Sequence, residues 1–194
     1  MHTSHQAESY SAFAPEPPIT AREAAVIVAG LSSPQLALPE LATNNLRAIE
    51  AFVNEAPSSY SFTISNFNID SIIVQAGQLN SETQRSPGLN YASVPLGLIL
   101  EGEVVIIQEG KGTKRLSQGD LIGLFECAYL LHCQSNRQIG HWTLIADQQT
   151  RILFFKDLKQ LSKDDSSAAI AFRNYLVDLA RIDVVPKPIT DLPV

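Results

Sequence analysis

Residues 94–120, VPLGLILEGEVVIIQEGKGTKRLSQGD, decide the fold. Leu98 and Leu100 stand two apart, the spacing of side chains on one face of a strand. That run breaks at Glu101-Gly102, and a second crosses Val104 to Ile107. The EGKGT stretch then supplies a glycine-rich hairpin turn, and Gln118-Gly119-Asp120 turns the chain once more. Short strands separated by such turns predict a closed antiparallel roll or sandwich.

Working outward, the strand pattern begins near Tyr60. Phe62 and Ile64 alternate with polar neighbours, and IDSIIVQAG follows at 69–77. On the other side come HWTLIA at 141–146, a turn at Asp147-Gln148-Gln149, and RILFF at 151–155. KDLKQL (156–161) begins a helix, and SSAAIAFRNYLVDLARI (166–182) predicts a longer one. The closing VVPKPITDLPV holds three prolines and predicts an extended tail at 184–194.

Ahead of the strands, residues 1–18 read as a tail with Pro15, Pro17 and Pro18 at its end. The TARE stretch at 20–23 is a capping-box pattern, in which the Thr20 hydroxyl accepts from a first-turn N–H and Glu23 reaches back. A short helix is predicted to run from there to Gly30 as its C-cap. Leu46, Ile49, Phe52 and Val53 at helical spacing predict a second, from about Asn45 to Glu55, ended by Pro57. The expected organisation is a helical segment at 19–58, read as a modest appendage, a β-roll at 59–162, and a C-terminal helix at 163–183.

Composition narrows the function classes. Of 194 residues, 45% are hydrophobic and 18% charged, enough to bury an ordinary core. The net charge is −6, and basic residues cluster no further than Lys114-Arg115, which argues against a nucleic-acid partner. Two cysteines, Cys127 and Cys133, are too few for a disulfide scaffold and suit a reducing cytoplasm. AAVIVAGL (24–31) is far shorter than the roughly 20 residues a bilayer span needs, so no membrane partner is expected.

With these features in order, the stretch from LGLILEGEV to KDLKQL resembles a cyclic nucleotide-binding domain. The matching features are the ILEGEV strand-turn, the hairpin, the GD-x-x-G turn at Gly119 to Gly123, then Thr143-x-x-Ala146 and the helix start after Phe155. The resemblance covers roughly residues 65 to 162. It implies a mainly β fold with flanking helices: a double-stranded β-helix, or jelly roll, of the cyclic nucleotide-binding-domain type, with eight strands. It also implies a ligand pocket in GDLIGLFECAYLL (119–131). There a short helix after the second glycine turns free N–H groups to a cyclic phosphate, a glutamate directly after that glycine binds the ribose, and an arginine ahead of the next strand pairs with the phosphate.

This chain departs from that pattern at both anchors. Leu124, not glutamate, follows Gly123, and Glu126 lies two positions on, turned to another face. With Thr143 and Ala146 in register, the arginine position falls on Gly140, and Arg137 comes three residues early. The candidate ligand-binding residues are Gly123, Leu124, Phe125, Glu126, Arg137, His141, Trp142 and Thr143. An apolar leucine facing a ribose leaves polar ligand groups unpaired, so ordinary cAMP or cGMP binding is not expected.

Other constellations carry less. Cys127, His132, Cys133 and His141 could ligate a metal, yet the spacing matches no zinc finger, and neither a metal nor another cofactor is expected. A cupin-type metalloenzyme shares the strand signals, but LGLILEGEVVIIQ holds no histidine, and His132 and His141, with His2 and His5 in the tail, do not make a three-histidine site. Asp164-Asp165-Ser166 reads as a helix cap. Glu101 and Glu103 read as solvated residues beside a turn.

In the C-terminal helix Ala169, Phe172, Leu176 and Leu179 form a broad apolar face with Ile170 and Val177, fit for the roll itself or for a homodimer. No helix-turn-helix pattern follows Leu161. The expectation is a non-catalytic, cytoplasmic, bacterial regulatory or interaction module acting on an unknown protein partner, tuned by a small-molecule ligand. A genuine cyclic nucleotide sensor using Glu126 and Arg137 is the first alternative.

Overall fold

LGLIL and RILFF are apolar at successive positions because both faces of their strands are covered. The structure, a computed structural model, describes residues 17–33, 36–76, 96–108, 112–124, 142–156 and 158–184. In chain order these form β1 (Ile19–Thr20), α1 (Ala21–Leu31), α2 (Glu40–Glu55), β2 (Ser61–Phe67), β3 (Ile72–Ala76), β4 (Gly97–Glu101), β5 (Glu103–Gln108), β6 (Gly112–Ser117), β7 (Leu121–Ile122), β8 (Trp142–Ala146), β9 (Thr150–Phe155), α3 (Leu158–Lys163) and α4 (Ser167–Val184).

The strands make two antiparallel sheets, ordered β1-β2-β9-β4-β7 and β3-β8-β5-β6. Their logic is that of one long hairpin rolled up. It is closed at β5–β6, in register from Glu103 opposite Ser117 to Gln108 opposite Gly112. Outward from there β4 pairs with β7, β3 with β8 and β2 with β9. The roll is locked where β4 also meets β9 and β5 also meets β8. Strands β2 to β9 are the expected eight-stranded jelly roll, and β1 adds two residues at an edge.

Three layers result. In β9, Ile152 and Phe154 point to the second sheet and, together with Ile99 of the neighbouring β4, meet Val104, Leu116 and Leu144 there. Leu153 and Phe155 point the other way, into a larger core with Phe62, Ile64, Leu98 and Leu100. That larger core is completed by the helices: Ala21, Ala24 and Val28 of α1, Leu46, Ile49, Phe52 and Val53 of α2, and Ala169, Phe172 and Leu176 of α4. The helices expected as a modest appendage thus supply one wall of the main core. A chain of ring contacts runs through it, Tyr60 to Phe52 (5.1 Å), Phe52 to Phe172 (4.7 Å), Phe172 to Phe155 (5.7 Å) and Phe155 to Phe62 (5.1 Å).

The helix ends follow their local chemistry. Glu23 N–H donates to the Thr20 hydroxyl while the Glu23 carboxylate accepts from the Thr20 backbone, so the capping box forms as expected. The Thr20 backbone N–H and, after it, the Thr20 hydroxyl, which also donates to the carboxylate, lower the Glu23 pKa. Gly30 is not the C-cap. The helix continues through Leu31, and Ser32 ends it by returning both its N–H and its hydroxyl to the Val28 carbonyl. Helix α2 begins at Glu40, earlier than Asn45, because its first turn is buried through the small Ala42 instead of a large apolar side chain. At α4, Ser166 accepts from Ala169 N–H and Asp164 accepts from Ser166 N–H, the cap read from DDSS.

Candidate functional site

The turn that leads toward the predicted pocket is built residue by residue. Asp120 N–H donates to the Ser117 carbonyl, and its carboxylate accepts from Ser117 N–H at 2.8 Å, closing the turn on itself. Gly119 N–H donates to the Ile99 carbonyl, and Ile99 N–H returns to the Asp120 carbonyl, which fastens the turn to β4. Gln118 adds a bond from its amide to the Leu100 carbonyl. Gly119 has φ +87°, and a Cβ there would sit 2.7 Å from the Ala42 Cβ, so the turn lies flush on helix α2.

Beyond the turn, Leu121 and Ile122 pair with β4, and Gly123 at φ +71° redirects the backbone. Leu124 is half-buried and packs against the main core, the layer between the first sheet and the helices. Thr143 lies in β8 of the second sheet, opposite Ile107 of β5 and Gln75 of β3. It alternates with Leu144 and Ala146, which are buried, and is itself half-buried on the other face of β8. The described geometry therefore places Leu124, two residues beyond β7, against the main core, and Thr143 in the second sheet on the face turned away from Leu144 and Ala146. Trp142 is placed by its backbone opposite Ala76 and Gln108. Phe125, Glu126, Arg137 and His141, with Cys127, His132 and Cys133, lie outside the described residues. Among the described residues no group of three or more His, Cys, Asp or Glu is disposed to hold a metal ion, and no helix is long and apolar enough to cross a membrane.

Two residues that sequence reasoning passed over reach the same turn. Asn45 of α2, 1% exposed, donates from Nδ2 to the Gly119 carbonyl at 3.0 Å and accepts at Oδ1 from the Tyr175 hydroxyl of α4 at 2.6 Å. The available signal was an asparagine at helical spacing with Leu46 and Ile49, on a face that is otherwise apolar. Burial raises the Tyr175 pKa, which keeps its hydroxyl a donor.

Helix α4 spends its apolar face on its own chain. Ala169, Phe172, Leu176, Val177 and Ala180 are buried, while Ile170 is left 40% exposed. A groove of about 350 Å³ runs between α2 and α4, lined by Ala48, Ala51, Phe52, Glu55, Ser167, Ala168, Ala171 and Phe172. On the second sheet Arg115 pairs with Glu103 and Asp147, an exposed cluster that ties the β5–β6 hairpin to the β8–β9 turn. Glu103, read as a solvated residue, is one of these partners.

Fold and site together define an antiparallel jelly roll walled on one side by helices, with a backbone turn at Gly119 to Gly123 presented from its first sheet. No family model matches the chain, and no curated protein matches it. Solved structures similar to it include a cyclic nucleotide-binding domain from Methylobacillus flagellatus, at 15% identity and TM-score 0.44, covering 91% of this chain and 92% of that one. PKAR CBD2 bound to Sp-2Cl-cAMPS is similar at 12% identity and TM-score 0.45, over 84% of this chain and 86% of that one. An EAL enzyme in a half-site-occupied form is similar at 18% identity and TM-score 0.37, over 62% of this chain and 97% of that one.

Proposed function

We propose that this chain is a non-catalytic regulatory or interaction module of the cyclic nucleotide-binding type that does not take cAMP or cGMP in that family's usual way. The observation that carries the reading is the placement of Leu124. At the position where the resemblance implies a ribose-binding glutamate, this chain has a leucine packed against its own core. A side chain committed to the core is not free to contact a ligand, and an apolar one offers a ribose hydroxyl no partner. What the described turn offers a ligand is backbone, which suits a small anion or a less polar molecule better than a nucleotide.

The test is thermal unfolding with and without millimolar cAMP and cGMP. A ligand held only by the folded state at about 100 times its dissociation constant adds about 2.7 kcal/mol. For a chain of this length that raises the midpoint by several degrees. No shift is expected. A clear rise overturns the reading in favour of a genuine cyclic nucleotide sensor and makes Glu126 and Arg137 the residues to replace next.

A protein partner, or a second copy pairing through α4, would meet the exposed Ile170 or the groove between α2 and α4. Sedimentation as a clean monomer at high micromolar concentration removes the second copy.

A further inference from the structure

We propose that Asn45 is a positioning residue that joins the docking of α4 to the conformation of the Gly119-Asp120 turn, so that the two open together. The bonds are Tyr175 hydroxyl to Asn45 Oδ1 at 2.6 Å and Asn45 Nδ2 to the Gly119 carbonyl at 3.0 Å. Three elements far apart in sequence thus meet at one buried carboxamide.

The direction of this chain of bonds is fixed by chemistry. The Gly119 carbonyl can only accept, so the amide nitrogen of Asn45 must face it. The carboxamide oxygen is then left for Tyr175, whose hydroxyl must donate. Neither Asn45 nor Tyr175 can reverse without leaving a buried group unpaired, and a buried unpaired group costs more than the bond itself contributes. The Gly119 peptide is gripped from both sides, by Ile99 through its N–H and by Asn45 through its carbonyl. Ala42 closes on its α-carbon, so the turn cannot slide along α2.

The consequence is a linkage that exists in the free protein and does not depend on any ligand. If α4 lifts, Asn45 loses its acceptor-side partner and the turn loosens. If the turn shifts, Asn45 is pulled from Tyr175 and α4 loosens. Coupling of this kind is reciprocal by necessity. Because the turn runs through β7 to Gly123 and Leu124, the state of α4 is felt at the start of the candidate pocket.

Native-state hydrogen exchange on the full chain tests this with two variants. Tyr175→Phe keeps the ring and removes only the hydroxyl. The expected result is that the Gly119 and Asp120 amides exchange about fivefold faster, the scale of one lost hydrogen bond, while amides of the β2–β9 pairing are unchanged. Asp120→Ala removes the carboxylate that closes the turn, and amides of α4 around Tyr175 to Leu179 are expected to accelerate by a similar factor. In the double variant the Gly119 amide should exchange more slowly than the product of the two single effects requires.

An unchanged Gly119 amide in Tyr175→Phe overturns the proposal. So does acceleration spread equally over β2 and β9, which is ordinary global destabilisation, and so do multiplicative effects in the double variant. Should Tyr175→Phe not fold, Asp120→Ala decides alone: a silent α4 overturns the linkage.

Discussion

Tyr60 donates its phenolic hydrogen to Asp164 at 2.8 Å, tying the residue just ahead of β2 to the cap of α4, 104 positions away in the chain. The same carboxylate receives Ser166 N–H at 2.9 Å. One side chain therefore serves both a helix end and the junction between a helix and a sheet.

The first expected outcome concerns pH. The Asp164 pKa is lowered, chiefly by the Ser166 backbone bond, then by the Ser166 and Tyr60 hydroxyls. A folded value below the unfolded one means that the folded chain binds this proton less readily. Its stabilisation is thus complete above the unfolded carboxylate value and is lost as pH falls through the folded value. Urea midpoints of wild type and Asp164→Asn should differ at pH 7 and converge below about pH 4, the ordinary aspartate range. Equal spacing at both pH values would count against the carboxylate as the source.

The aromatic chain makes a second prediction. Phe172→Ala should cost about 3–5 kcal/mol, the range for deleting a fully buried ring. Phe52 and Phe172 stack with 14° between their planes. A double-mutant cycle of the two alanine variants should show a coupling of about 0.5–1.5 kcal/mol. Strict additivity in chemical denaturation would mean that the rings merely fill space.

A third concerns the contact between Gly119 and Ala42. Gly119→Ala must place a Cβ against Ala42 and hold φ +87°, so destabilisation of about 1–3 kcal/mol is expected from overpacking, with backbone strain added. Ala42→Gly should recover part of that loss in the Gly119→Ala background, by removing the clash but not the strain. In wild type the same change should cost about 1 kcal/mol in helix propensity. Calorimetric or urea midpoints of the four variants settle the sign, and a rescue that fails would place the cost in the backbone alone.

The fourth bears on the proposed function. Leu124→Glu restores the residue type that the resemblance implies, yet here it drives a carboxylate toward a packed core. The expected outcome is a loss of about 2 kcal/mol and no new response to cAMP in thermal unfolding. A gain of nucleotide-dependent stabilisation would show that the position faces a ligand after all.

Much of the fold was legible because it was written locally. The Thr20–Glu23 box, the DDSS cap, the β5–β6 hairpin and the turn at Asp147 each depend on residues a few positions apart. The start of α2 was not, since Ala42 signals burial only when Gly119 is known to lie against it. Gly30 misled for a related reason: helix α1 had room to run one residue further and end on Ser32. The Asn45–Tyr175 link was invisible because it joins positions that only the rolled hairpin brings together. At the candidate site the sequence supplied the turn and its glycines, while the direction of Leu124 depended on which layer lay beneath it.

The pairing of β2 with β9 sets Phe62 opposite Phe155, at the two ends of the rolled hairpin. During synthesis the first of these strands must therefore wait, unpaired along that edge, until the last has left the ribosome. Contacts so distant along the chain are slow to form, and an apolar strand kept waiting is exposed to wrong partners. Helices α1 and α2, which are already made by then, are placed to shelter Phe62 in the meantime.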